Sequence, residues 1–359
     1  MQIIFNFFKI IQKIFFINKD YPKKYLYVLL FFFTIFTSLT EVATLGSLLP
    51  LIDVILNVDE INRNIFTQKI IGFLNIQNYN IEIFLFVTFI ILLITAFILK
   101  VLTIWMLAYL TNDISYFLSK KIFKNTLSQN YSYHINKNTS VFMGNIEKVD
   151  KARGASFALF QMFVSFIISI FIIIFIFSIN FLTTAIFATF FILIYGVIFY
   201  LIKLRITKIS ITDSLLINNK FKFLAECNDN IKEIILKKLD LIFDKKFNKI
   251  MYDLRSNRIL TQLFNFIPGQ LVILIASLFL LFLIYYYFSN ETLAANISFV
   301  GMLILASQRL IPQMQNIFFS ITILKNQQYS LYDIVDVIEL KSQINSDVSK
   351  IPLSNFKSF

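Results

Sequence analysis

The sequence predicts an all-α integral membrane protein with six transmembrane helices and two long cytoplasmic helical arms. Three observations carry that fold class: a composition too apolar for a water-soluble domain, apolar runs long enough to cross a bilayer, and basic residues confined to alternate loops. Of the 359 residues, 57% are hydrophobic and 15% charged, and the mean hydropathy is +0.73. A soluble domain carries about 25% charged residues.

Taken in order, the apolar runs place helices at 25–50, 82–110, 156–178, 181–204, 262–288 and 292–325, each near or above the roughly 20 residues that span about 30 Å of hydrocarbon. The third and fourth form one stretch from Phe157 to Ile202, about twice a single crossing at 1.5 Å per residue. It must turn back, and Ser178 and Asn180 supply the polar break at its centre. A second tight hairpin is expected at "SNET", residues 289–292.

Lysines 9, 13, 19, 23 and 24 precede the first helix, a basic N-terminal segment covering 1–24. Further basic clusters lie at 120–153 and 208–258, while the opposite loops carry only Arg63 and Lys69. The positive-inside rule then puts both termini and both long loops in the cytoplasm. The net charge of +12 is thus accounted for by topology and by attraction to anionic lipid, not by nucleic acid. Both long loops repeat apolar residues at helical spacing, as in "FKFLAECNDNIKEIILKKLDLIFDKKFNKI". They are expected to be membrane helices that run on, turn and come back.

Polar residues inside the apolar runs are the candidates for chemistry. Arg309, Gln313, Asn316 and Ser320 are spaced four, three and four apart on one helical face, and Thr34, Thr37, Glu41 and Thr44 form a similar stripe on the first helix. Ionisable groups at membrane depth line a polar path or pair with a partner. Three readings stay open: Glu41 and Arg309 pair as structural glue; Arg309 and Lys100 reach down to the inner interface; or the stripe lines a substrate cavity. In the third, an arginine fork with neighbouring amides suits phosphate or pyrophosphate oxygens. Pro312 in the same stripe removes a backbone donor and is a candidate kink or hinge.

Other chemistries are poorly served. One cysteine, Cys227, and one histidine, His134, leave no intrachain disulfide and no Cys/His metal cluster within a chain, and each reads as a filler or interfacial residue. None of the seven glycines is followed by lysine, so these residues hold no phosphate-binding G-x-x-x-x-G-K-[ST] loop. Asp53 and Asp59 stand isolated at the outer end of the first helix and read as solvated.

Local stretches add a resemblance. "EVATLGSLLPLIDVI" (41–55), "NKNTSVFMGNIEKVD" (136–150), "NDNIKEIILKKLDLIFDKKF" (228–247) and "QRLIPQMQNI" (308–317) resemble segments of the transmembrane domain of ABC exporters, in particular bacterial lipid-linked oligosaccharide flippases and related polysaccharide or lipid exporters. The resemblance covers about residues 20–340; its single motifs are degenerate, but their order and spacing are specific. It implies a six-helix transmembrane domain over 25–329 and a homodimer, or paired half-transporter, in a bacterial inner membrane. It also implies coupling helices at the arm tips docked on ABC ATPase domains, with Tyr131, Tyr133, His134, Phe223 and Glu226 as contact candidates. Glu41, Lys100, Arg309, Gln313 and Asn316 become the substrate-binding candidates for a lipid or lipid-linked glycan.

The family's ATPase domain follows its sixth helix, and "KIPLSNFKSF" within 330–359 resembles the run-up to that domain. ATP and Mg are therefore expected on a nucleotide-binding domain outside this sequence, with no cofactor on the chain itself. Two rival expectations stand beside the exporter: a remnant without a motor, and an integral membrane enzyme of envelope glycan assembly. The enzyme reading wants catalytic residues in a sizeable outer loop, and 51–81 shows no recognisable arrangement of them.

Overall fold

A computed structural model describes residues 12, 14, 18–55, 81–132, 139–179, 181–289, 293–327, 331, 334 and 338. These residues are helical, with no strand among them. The helices are α1 (Tyr25–Ile55), α2 (Ile81–Leu127), α3 (Thr139–Ile179), α4 (Phe181–Asp229), α5 (Ile231–Leu236), α6 (Asp240–Ser289) and α7 (Leu293–Asn326). Among the described residues, four helices are long and apolar enough to cross a membrane: Tyr25–Ile55, Ile83–Leu127, Lys148–Ile179 and Asp240–Phe279. The expected run at 181–204 falls within α4, and 293–325 of the run expected at 292–325 falls within α7, residue 292 lying outside the described residues.

The arms were expected from the helical spacing of apolar residues in the long loops, and α4 and α6, at 49 and 50 residues, are each about 75 Å long. That is more than twice the hydrocarbon thickness. The expected run-on of membrane helices past their apolar segments is therefore present: α2 continues to Leu127 and α6 begins at Asp240. The breaks after Ile179 and Ser289 fall where the two tight hairpins were expected.

The core lies where α1, α2, α3 and α7 meet. On α2 the fully buried Leu110, Ile114, Leu118 and Ile122 recur every four residues, a single stripe along one face. Ala152, Ala155 and Ala158 on α3 carry little bulk and let a neighbour approach closely. Leu303, Ala306, Leu310 and Phe318 of α7 join the same cluster. Beyond α7, the buried Leu331, Ile334 and Ile338 keep helical spacing, and Asn125 Nδ2 donates to Ile338 O at 3.1 Å. That contact ties the end of α2 to the segment after α7. Helices α4 and α6 run together as a pair beside this bundle, and α6 leaves Phe266, Leu274, Leu278, Leu281 and Phe282 exposed.

Ahead of α1, a short elbow is locked onto α2. The Tyr21 hydroxyl donates to Asp113 Oδ2, Lys23 Nζ reaches Asp113 Oδ1 at 2.9 Å, and Lys121 Nζ pairs with Asp20. The hydrogen bond from Lys121 holds the Asp20 carboxyl below its ordinary 3.8. The hydrogen bond to Asp113 raises Lys23 above its ordinary 10.5.

The turn from α5 into α6 has a Lys in the left-handed region, Lys238 at φ 50°. Leu239 N donates to Ile234 O at 2.9 Å and Lys238 N to Ile235 O at 3.3 Å. This is a Schellman closure, which satisfies the last carbonyls of α5 and is usually built on glycine.

Candidate functional site

The threonine stripe of α1 faces inward and is satisfied by its own helix. Thr34, Thr37 and Thr44 are buried, and their hydroxyls donate to Leu30 O, Phe33 O and Glu41 O at 2.7–2.8 Å. Thr37 also meets Thr103 of α2 at 2.8 Å. The stripe thus welds α1 to α2, and within it only Glu41 carries a charge.

Glu41 sits 16 residues after Tyr25 and 14 before Ile55, the midpoint of α1. Arg309, 16 residues after Leu293 and 17 before Asn326, is the midpoint of α7. Both side chains are largely removed from solvent, at 7% and 17% exposure. Arg309 Nη1 pairs with Glu41 Oε2 and lies 3.4 Å from Glu41 O. Of the three open readings, the one placing Arg309 at the inner interface does not describe this geometry: the guanidinium is held laterally by a carboxylate at its own level.

Lys100 of α2 completes the cluster, its Nζ 3.9 Å from Glu41 Oε1, with 48% of its side chain exposed. One carboxylate between two cations leaves a net charge of +1, and the surplus sits on the accessible partner. About nine residues, or 13 Å of helix, separate Lys100 from Tyr109, whose ring stacks with the exposed Trp105 and lies under the Lys23 ammonium. Aromatic and lysine side chains together mark a membrane–water boundary, so the cluster lies well inside it.

The rest of the α7 stripe divides. Gln313 is buried. Asn316 instead lines a cavity of about 220 Å³ between α6 and α7, with Phe266, Gly269, Gln270, Gln315, Phe318 and Phe319. Gln315 Nε2 donates to Gly269 O at 3.1 Å, fixing one wall. Ser320 is fully buried, and its hydroxyl has no hydrogen-bond partner among the described residues. Arg309 and Asn316 therefore address different neighbours, about 10 Å apart along the helix.

The arm-tip candidates fare differently from one another. Tyr131 is 79% exposed, while Tyr133 and His134 lie outside the described residues. Phe223 is engaged within the arm, stacked on Phe247 at 6.3 Å and tilted against Phe243 at 5.8 Å between ring centroids. These contacts join α4 to α6. Glu226 is exposed, and its side chain lies 4.0 Å from Lys222.

Sequence reasoning missed two groups: Asp113 with Tyr21 and Lys23, and Asp213 with Lys151 at 3.7 Å. Both join residues from segments far apart in sequence, which one-dimensional spacing does not report. Their only signal was an acidic residue at the end of an apolar run. Asp53, expected to be solvated, is buried.

No protein-family model matches the chain, and no curated protein matches it in sequence.

Proposed function

We propose that this chain is the membrane-embedded half of an ABC-type exporter or flippase in a bacterial inner membrane, with both termini cytoplasmic and six crossings. It moves an amphipathic lipid or lipid-linked glycan, working as a dimer with ABC ATPase domains that bind ATP and Mg. Lys100, Arg309, Gln313 and Asn316 contact the substrate, and Tyr131 and Glu226 help couple the arms to the ATPase.

The observation that carries this reading is the Glu41–Arg309–Lys100 cluster: a surplus cation, half accessible, at mid-helix in an apolar bundle. A charge at that depth is costly facing lipid and is retained where it meets a polar path. Two helices of about 75 Å, joined by the six-residue α5, agree with arms that carry motion beyond the bilayer. Because Arg309 is committed to Glu41, Lys100 makes the first contact with an anionic headgroup; Arg309 holds the carboxylate that positions it.

The test is ATPase stimulation by polyprenyl-linked saccharide in proteoliposomes holding the complex purified from its native membranes. Lys100→Gln is expected to abolish stimulation and leave basal ATPase activity in place. Stimulation equal to wild type in Lys100→Gln would remove the cluster from substrate recognition.

A further inference from the structure

We infer that a second site, separate from the mid-helix cluster, binds the phosphate group of an anionic lipid where the basic stretches of α4 and α6 around Lys208 and Arg258 meet the end of α7. A cavity of about 220 Å³ opens there, lined by Ile209, Asp213, Arg258, Thr261, Gln262 and Asn326. Its size suits a small polar group. It holds the liquid volume of about seven waters and falls below the roughly 300 Å³ at which drug-sized sites begin. A phosphate headgroup fits within it.

The chemistry of the lining agrees. Arg258, Thr261 and Gln262 are spaced three and one on α6 and share one face. Arg258 makes no ion pair among the described residues, although Asp213 lines the same cavity. Asp213 is instead 3.7 Å from Lys151 of α3, which offsets its charge. The guanidinium fork is thus available for bidentate contact with phosphate oxygens, and the Gln262 side chain carries an amide donor. Asn257, 7% exposed, donates from Nδ2 to Ile209 O at 3.2 Å and pins α6 to α4 beneath the cavity, while Arg258 and Gln262 stay exposed at its rim.

Position supplies the source. Arg258 lies one turn before the apolar run that starts at 262, the level at which lipid headgroups meet helices and basic interhelical pockets take them. Asn326 is 17 residues, about 25 Å, from Arg309 along α7, so one phosphate cannot serve both sites. The inference does not rest on the transport reading, and its test needs neither ATP nor transport.

The experiment is native mass spectrometry of the full chain, as purified, from micelles containing equal phosphatidylglycerol and phosphatidylcholine. Wild type is expected to retain phosphatidylglycerol preferentially, and Arg258→Ala to lower that retention about tenfold. Arg255→Ala, one turn away and outside the cavity, should leave it unchanged. Asp213→Asn should raise retention, because it removes the one negative charge among the residues that line the cavity. That variant keeps the test decisive even where Arg258→Ala folds poorly. A parallel arm measures thermal stabilisation by inorganic phosphate. Stabilisation of wild type and not of Arg258→Ala, without lipid preference, would assign the same site to free phosphate. Equal losses in Arg255→Ala and Arg258→Ala, or no rise in Asp213→Asn together with no phosphate effect, would overturn the inference.

Discussion

Arg309 and Glu41, 268 residues apart in sequence, meet as an ion pair at the midpoints of α7 and α1. Lys100 approaches the same carboxylate from the other side. The asymmetry of this trio fixes an order of mutational effects. Glu41→Gln leaves two cations facing each other and is expected to cost about 3–5 kcal/mol, the range for breaking a buried pair. Arg309→Gln leaves Glu41 with Lys100 and should cost less. Thermal unfolding in detergent reads the order directly, and an equal or reversed order would mean that Lys100 does not sense Glu41.

Lys100 itself is expected to matter little for stability. Its side chain is half exposed and 3.9 Å from Glu41, a geometry worth under about 1 kcal/mol. Lys100→Gln should therefore melt close to wild type in the same assay, separating its role in recognition from any role in folding.

Close packing of α7 on α1 makes a different demand. A Cβ added at Gly301 would lie 2.8 Å from Ile52 Cδ1, the movable end of that side chain. Gly301→Ala should be tolerated, because the isoleucine can shift and alanine regains up to about 1 kcal/mol of helix propensity. Gly301→Leu should cost about 1–3 kcal/mol through overpacking, and Ile52→Ala should recover part of it. Paired melting curves of the single and double variants check this.

At the arm tip, Lys238 holds a left-handed backbone at φ 50°. Lys238→Gly is expected to stabilise the α5–α6 turn by about 1 kcal/mol, seen as slower amide exchange at Leu239, whose N–H closes the motif onto Ile234 O. Unchanged or faster exchange would show that the turn is not limited by that strain.

The elbow before α1 gives a pH dependence with a definite sign. Lys121 holds Asp20 below 3.8, so the contact contributes stability above that value and loses it as pH falls through the lower, folded value. Asp113 raises Lys23 above 10.5, so that contribution is present below 10.5 and is lost only as pH rises through the higher folded value. Proteolytic protection of residues 18–24 is therefore expected to be flat from about pH 5 to 9. A loss of protection within that window would point to another titrating group.

Much of this architecture was legible in one dimension because the bilayer imposes length. The run from Phe157 to Ile202 forced a turn, and helices do end and restart at Ile179 and Phe181. The helical periodicity of 221–250 likewise signalled α4 and α6 running past their apolar segments. The site was half legible. Spacing put Arg309 and Asn316 on one face, but a 34-residue helix with neighbours on several sides sends that face to different partners at different levels. Phe223 was a contact candidate through the resemblance, and nothing in its surroundings in sequence pointed to Phe247 as its stacking partner. Asp113 and Asp213 went unread because their partners lie far away in sequence, in the elbow before α1 and on α3.

The central claim, an exporter's membrane half driven by ABC ATPase domains, is tested most directly by the mass of the intact complex released from native membranes. The account predicts two copies of this chain together with two ATPase domains, as separate subunits or as extensions of the same polypeptide. A homodimer or single chain that carries no ATPase domain would contradict it.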